Sequence, residues 1–366
     1  MSIVSGQNNS DLYFYHGQTV GSEYQFGPLN ILLNVGFVTT GRMTQSPRFS
    51  DIDFERNRTI LENSLIHQRI AINDDYEDGF KEFFLTEFVP PYLPAFPNYA
   101  LHFIGEGMLY RKLEEYYRFQ GINKIWSRTL SISSIVLCQQ INELVEFGYP
   151  LHPKSDPVSD LYFNTAGIIA FSFDNVAKLF SNDYINLYYW SGQPIIDIRD
   201  NALFNHQESY LLRATLGRSR DIKLALLFGL PANGLGFSFP LKNGDYFSLM
   251  PFATDQITRS PGYVPPTREE LLEDADGGDP HLDISYNVIV EEFNYSINAY
   301  WDRNGSLLAS VAVGYKPVFS LAMNIYPGVL QFNGVRFGGY LITSETGASS
   351  MGFTASVSPV MPGIRF

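Results

Sequence analysis

The stretch Phe293-Asn294-Tyr295-Ser296-Ile297-Asn298-Ala299-Tyr300-Trp301 puts an apolar side chain at every odd position and, Tyr300 aside, a small polar one at every even position. Side chains of a strand alternate faces, so this segment predicts a strand with one greasy wall and one polar wall. The pattern extends outward in both directions. Upstream, Leu282, Ile284, Tyr286, Val288 and Val290 keep it, as do Leu235, Phe237 and Phe239, and Tyr210, Leu212 and Ala214. Downstream it continues through Leu307 to Tyr315, Phe319 to Ile325, and Met351 to Val357, where Gly352, Thr354, Ser356 and Ser358 fill the second face. Two Asn-Gly pairs, in Lys242–Asp245 and Asp302–Gly305, predict tight hairpin turns between strands.

The second face decides what kind of sheet this is. A face turned to water carries charge, but from Asn294 to Phe366 the only charged residues are Asp302, Arg303, Lys316, Arg336, Glu345 and Arg365. Ser, Gly, Asn, Thr and Ala suit the inside of a narrow barrel, where side chains must fit without clashing. Segments of about ten residues with this dyad repeat are long enough to cross a bilayer as barrel strands. Over the whole chain charged residues make up 17%, below the soluble average of about 25%. Aromatics reach 15%, and Tyr and Trp favour bilayer interfaces.

The ending Ile364-Arg365-Phe366 resembles the terminal strand of bacterial outer-membrane β-barrel proteins, in which an aromatic last residue forms part of the assembly signal. The resemblance covers roughly residues 208–366. It implies an address in the bacterial outer membrane and membrane lipid as a partner, with other outer-membrane or periplasmic proteins as possible further partners.

Composition narrows the alternatives. The formal net charge of −13 and the lack of a Lys/Arg cluster argue against nucleic acid as a partner. Cys138 is the single cysteine, so no intramolecular disulfide forms; its apolar surroundings predict a buried thiol. No apolar run reaches about 18 residues, so no transmembrane helix is expected. Met1 to Gln7 is too short for a signal peptide, and Ser5-Gly6-Gln7 has the small residues of a cleavage remnant.

Three regions follow. Residues 1–76 are mixed: Leu29 to Phe37 alternates, and Ile60 to Ile72 fits a strand or a short helix, so one or two strands are expected. Residues 77–200 read as a helical insert. One helix ends before Pro90-Pro91, a second runs from Asn98 to a stop at Gly121, a third from about Asn123 to Gly148, and a fourth starts at Asp156-Pro157. Residues 201–366 hold the strands, interrupted by a polar loop from about Asp255 to Asp279. The acidic turn Asp274–Asp279 lacks EF-hand spacing and reads as a solvated loop.

Chemistry is concentrated in the helices. His102 and Glu106 are four apart and share a face, as do Gln139 and Glu143, with Glu146 one turn on, and Asp156, Asp160 and Asn164. Convergence of the three stripes would bring His102, Glu106, Glu143, Glu146, Asp160 and Asn164 into one buried site. Such a set could act as general acid and base or hold a metal; the same residues also serve ordinary interhelical hydrogen bonding. The run Glu143-Leu-Val-Glu146, then Asp160-x3-Asn164-x2-Gly167, with His102 upstream, resembles the pattern of VanZ-like proteins over about 70 residues. That family's activity is poorly defined, so the resemblance implies a polar site and names no reaction or cofactor.

The expected fold is therefore α+β: an antiparallel transmembrane β-barrel of about eight to twelve strands with an inserted helical segment that plugs the lumen or caps its mouth. The expected role is structural, or accessory to secretion or assembly. The alternatives are a membrane-embedded hydrolase acting on envelope lipid or glycan through the helical cluster, and a soluble α+β binding protein.

Overall fold

The computed structural model describes residues 12–37, 54–89, 98–146, 155–198, 201–217, 222–230, 232–256, 293–316, 319–345, 349–356 and 363–365. The expected strand Leu282–Val290, the turn Asp274–Asp279 and the terminal Phe366 lie outside these residues. The fold is α+β, with helices first and one large sheet after them. The helices are α1 (Pro28–Asn34), α2 (Phe54–Leu65), α3 (Gln68–Asp75) and α4 (Phe80–Phe88). A π-helical segment (Asn98–Glu106) runs straight into α5 (Gly107–Phe119), followed by α6 (Lys124–Glu146), α7 (Asp156–Phe171) and α8 (Asp174–Leu179).

Two boundaries differ from the sequence reading. Leu29–Phe37 does not form a strand. Pro28 sits in the first helical turn, where its fixed φ and missing N–H cost nothing. Ile31 and Val35, four apart, bury together, so the same residues satisfy a helical period. With α2 and α3 also helical, residues 1–76 contribute no strand among the described residues. In the other direction, strands begin inside the expected helical insert, at β1 (Ile185–Ser191) and β2 (Ile195–Asp197). Tyr188 and Trp190 fill the second face of β1 with large rings, which hides the period of two.

The remaining strands are β3 (Ala202–Phe204), β4 (Glu208–Thr215), β5 (Lys223–Leu230), β6 (Ala232–Pro240), β7 (Asp245–Gln256), β8 (Phe293–Arg303), β9 (Ser306–Lys316), β10 (Ser320–Phe332), β11 (Val335–Ser344), β12 (Ser349–Ser356) and β13 (Gly363–Arg365). All thirteen join one sheet in the order β1-β4-β5-β6-β7-β8-β9-β10-β11-β12-β13-β2-β3. Every neighbouring pair is antiparallel except β13–β2. The hairpin turns at Asn243-Gly244 and Asn304-Gly305 have positive φ at both residues, as does Asn333-Gly334, which joins β10 to β11. This is the twist that two-residue hairpins require.

The sheet is rolled. Arg213 on β4 pairs with Asp302 on β8, yet four ladder steps of about 4.8 Å would hold those strands about 19 Å apart in a flat sheet. The Trp190 indole on β1 donates to the Gly305 carbonyl (2.9 Å), and the Tyr326 hydroxyl on β10 donates to the Ser191 carbonyl (2.8 Å). The ladder nevertheless stays open, which corrects the expected closed barrel: β1 and β3 end it, and no pairing joins them among the described residues. The cause lies in Gly192-Gln193-Pro194. Here the chain leaves the wall, Pro194 offers no N–H, and Gln193 turns inward to bond the Ile325 carbonyl (3.0 Å) and the Thr354 hydroxyl (3.1 Å). Because Ser191 and Ile195 are four residues apart, the end of β1 and the start of β2 stand within about 14 Å of each other, with β3 the edge strand beyond β2.

The two faces differ: large apolar side chains point outward, and the inward face mixes polar groups with a buried cluster of Trp190, Leu211, Leu227, Met250 and Leu307. On β8, Ile297 is 46% exposed, whereas Ser296, Asn298 and Asp302 are fully buried. Leu235, Phe237, Leu249, Met323, Ile325, Leu341, Met351 and Phe353 also look outward, while Ser238, Ser248, Thr354 and Ser356 look inward. Inside, Arg213, Trp190, Tyr326 and Gln193 are fully buried, so side chains fill the space. The outward residues are zoned. Phe239, Phe247 and Trp301 form one paired row at one end, Tyr295, Tyr315 and Phe319 lie toward the other, and aliphatics with Phe237 and Phe252 occupy the middle.

The helices do not plug this interior. Leu212 and Leu226 pack against the helical core formed by Met108, Leu109, Leu113, Ile135 and Phe171. Leu226 pairs with the exposed Leu235, so it belongs to the outward face. The helical layer therefore rests against the outer side of β1, β4 and β5, where it covers apolar residues that elsewhere remain bare.

Candidate functional site

The polar stripes of the π-helical segment, α6 and α7 do meet. Gly167 on α7 allows it: a Cβ there would lie 2.4 Å from the Phe103 carbonyl oxygen, so only glycine lets the two backbones approach this closely. Asp160 and Asn164, on the same face one and two turns earlier, then reach His102. The His102 Nδ1–H is shared between Asn164 Oδ1 (3.1 Å) and Glu106 Oε1 (3.3 Å), and Nε2 faces Asp160 Oδ1 at 3.4 Å. Behind it, the Gln139 amide of α6 donates to the second oxygen of Glu106. The π-helical turn that carries His102 and Glu106 is itself a form seen mostly at special sites.

The structure thus brings together His102, Glu106, Asp160 and Asn164, with Gln139 completing the set. Glu143 is buried one turn beyond Gln139 on α6. Glu146 is the last residue of α6, and its side chain lies outside the described part. Among the described residues, no group of three or more His, Cys, Asp and Glu side chains has the arrangement of a metal site.

Electrostatics define the chemistry. Burial works against a charge on His102, but Asp160, Glu106 and Glu208 outweigh it and hold its pKa well above the ordinary value. The ring is therefore an imidazolium whose two N–H groups both point at acceptors. In that state it is no base. It is a positively charged clasp that ties the π-helical segment to α7 through Asp160, Asn164 and Glu106. Cys138 lies near the same carboxylates; burial first, then Glu106 and Glu208, push its thiol up to about 12 and leave it unreactive.

Sequence reasoning missed Glu208 on β4, which is buried against the Tyr210 hydroxyl at 2.5 Å. A glutamate at the start of a strand whose alternate residues Tyr210, Leu212 and Ala214 are apolar was the available signal.

The clasp carries a pH dependence with a definite sign. A group whose folded pKa is raised stabilises fully below its unfolded value of about 6.5, and the contribution fades as pH rises through the folded value. His102→Gln should therefore be less stable than wild type by about 2 kcal/mol at pH 6, the worth of hydrogen bonds to a charged group. The two proteins should converge in alkali. Thermal unfolding between pH 6 and pH 9.5 checks this; parallel curves would mean that the imidazolium adds nothing.

Comparison with family models, curated proteins and solved structures gives no significant match, so the role of this cluster rests on its own chemistry.

Proposed function

We propose that the chain is an integral protein of the bacterial outer membrane, in which the rolled sheet spans the bilayer as a barrel-like wall and the helices form a layer against one sector of it. The seam lies between β1 and β3, and the short segment 191–195 ties β1 to β2, the neighbour of β3. The role is structural or accessory to assembly or secretion, because the interior is packed with side chains and the helical cluster ties the π-helical segment to α7.

One observation supports the reading above all: the outward face of the sheet is apolar and bare, while charged and polar side chains such as Arg213, Asp302 and Asn298 are buried inside it, beside the apolar cluster of Trp190, Leu211, Leu227 and Met250. In water the polar face would be turned to solvent and the apolar face buried; in lipid the order reverses. An aromatic row of Phe239, Phe247 and Trp301 borders one end of the apolar face, and Tyr295, Tyr315 and Phe319 lie toward the other, the setting that aromatic rings favour at bilayer interfaces. No described helix is long and apolar enough to cross a membrane, so the strands carry the crossing.

Gel mobility tests the proposal. The folded protein, extracted in detergent and left unheated, should migrate faster than the boiled sample. It should also precipitate when detergent is removed and recover on transfer into phospholipid vesicles. A protein that stays monodisperse without detergent, with a single mobility, would rule out the membrane wall.

A further inference from the structure

We infer that α6 lies in the plane of the bilayer interface, with its outer face immersed beside the sheet wall. This inference rests on the membrane reading of the sheet.

The helix has two unlike sides. Its inner side, through Ile135 and Cys138, joins the core that contains Tyr189, Tyr210 and Phe228 on the strands, so α6 belongs to the helical layer held against the outer wall and packs there on α1, α2 and α5. Its other side exposes Trp126 (60%), Leu130 and Leu137 (56%), spaced as a helical stripe, with Ile125 and Ile132 beside them. From Thr129 to Asn142 the helix carries no charged residue, a length of about 21 Å at 1.5 Å per residue. Arg128, at the start of this stretch, donates to the Ser172 carbonyl (3.3 Å), which brings the exposed Phe173, just beyond α7, to the same end.

A contiguous uncharged surface of this size, left in water, marks an interaction site. Its occupant follows from its position. The stripe sits on a helix of the layer held against the wall whose bare apolar face borders it, so the medium that covers that face reaches α6 as well. The helix cannot span, which leaves the interfacial orientation, where Trp126 has its preferred setting. With a net charge of −13, attachment comes from apolar burial and not from attraction to anionic lipid.

Spin labels separate the possibilities. In a Cys138→Ala background, Leu130→Cys and Leu137→Cys report on α6, Ile297→Cys on the wall, and Glu62→Cys on a water-exposed helix. Each labelled protein is reconstituted into phosphatidylcholine vesicles, and the label's accessibility to oxygen is compared with that to a water-soluble nickel chelate. The oxygen-to-nickel ratio should be several-fold higher at 130 and 137 than at 62, and highest at 297. A high ratio at 297 with values at 130 and 137 equal to that at 62 would overturn the inference while sparing the membrane wall. Low ratios at all positions would overturn both. Protection at 130 and 137 that also occurs in detergent, with the mass of a dimer, would assign the face to a second copy and overturn the lipid assignment.

Discussion

Arg213→Ala should lower the stability of the folded protein by about 3–5 kcal/mol, the cost of leaving one member of a buried ion pair alone. Arg213 is fully buried inside the rolled sheet, and its guanidinium is fully occupied. Nη1 and Nη2 hold the Asp302 carboxylate, Nη2 also meets the Ser248 hydroxyl (3.0 Å), and Nε donates to the Ser238 hydroxyl (3.0 Å). The plane lies over Tyr246, with 4.5 Å to the ring centroid, and near Tyr188 at 5.2 Å. Alanine strands Asp302 among apolar rings and removes the contact that ties β4 to β8 across the interior. A domain is stable by only about 5–15 kcal/mol, so the loss is a large fraction of the total. Arg213→Lys should recover little, because an ammonium cannot reproduce the fork. Arg213→Met with Asp302→Leu should recover most of it, since no unpaired charge remains. Denaturant unfolding of the refolded protein in detergent micelles checks the set. An alanine variant with an unchanged midpoint would mean that the pair does not hold the roll together.

That pair shows where the sequence was readable and where it was not. The alternation around Ile297 reports which residues share a face, because a period of two is a local property of the backbone. It also identified the unusual composition of the second face, and Ser296, Asn298 and Thr354 are indeed buried. The helix ends were legible because Gly121 and Pro157 act locally. The four-residue spacing of Asp160 and Asn164, with Gly167 next on that face, was enough to place them toward His102. What escaped depends on contacts between distant segments. Nothing near Arg213 points to Asp302, 89 residues away. Strand β1 escaped because both of its faces are covered, one by the helices and one by the packed interior. The position of the helical layer escaped for a related reason: an amphipathic helix shows that it has an apolar side, and Leu212 and Leu226 had to be seen against it before the outer wall, not the lumen, was identified as its seat. The open seam was equally hidden, since it follows from Gln193 leaving the wall to bond β10 and β12.

The second large effect concerns the outward face. Ile297→Arg should destabilise the protein in a bilayer by about 2–4 kcal/mol, the cost of a cation on the lipid face near the midplane. Ile297 lies midway along β8, opposite Val313, and is 46% exposed. On an ordinary water-washed strand the same substitution changes stability by less than about 0.5 kcal/mol and improves solubility. The two readings therefore predict different sizes and different practical consequences for one variant. Loss of packing is the competing explanation for any destabilisation, and depth separates it from a lipid effect. Tyr315→Arg removes a larger side chain, but from the aromatic row near the end of β9, where a cation reaches the headgroups. In a bilayer it should cost about 0–1 kcal/mol. Packing alone gives the opposite ranking, because the tyrosine loses more contact area than the isoleucine. Equilibrium unfolding of both variants in phosphatidylcholine vesicles, read by the change in gel mobility between folded and unfolded forms, supplies the comparison. A cost at 297 well above that at 315 places the middle of the sheet in hydrocarbon, and equal small costs at both positions return the apolar face to water.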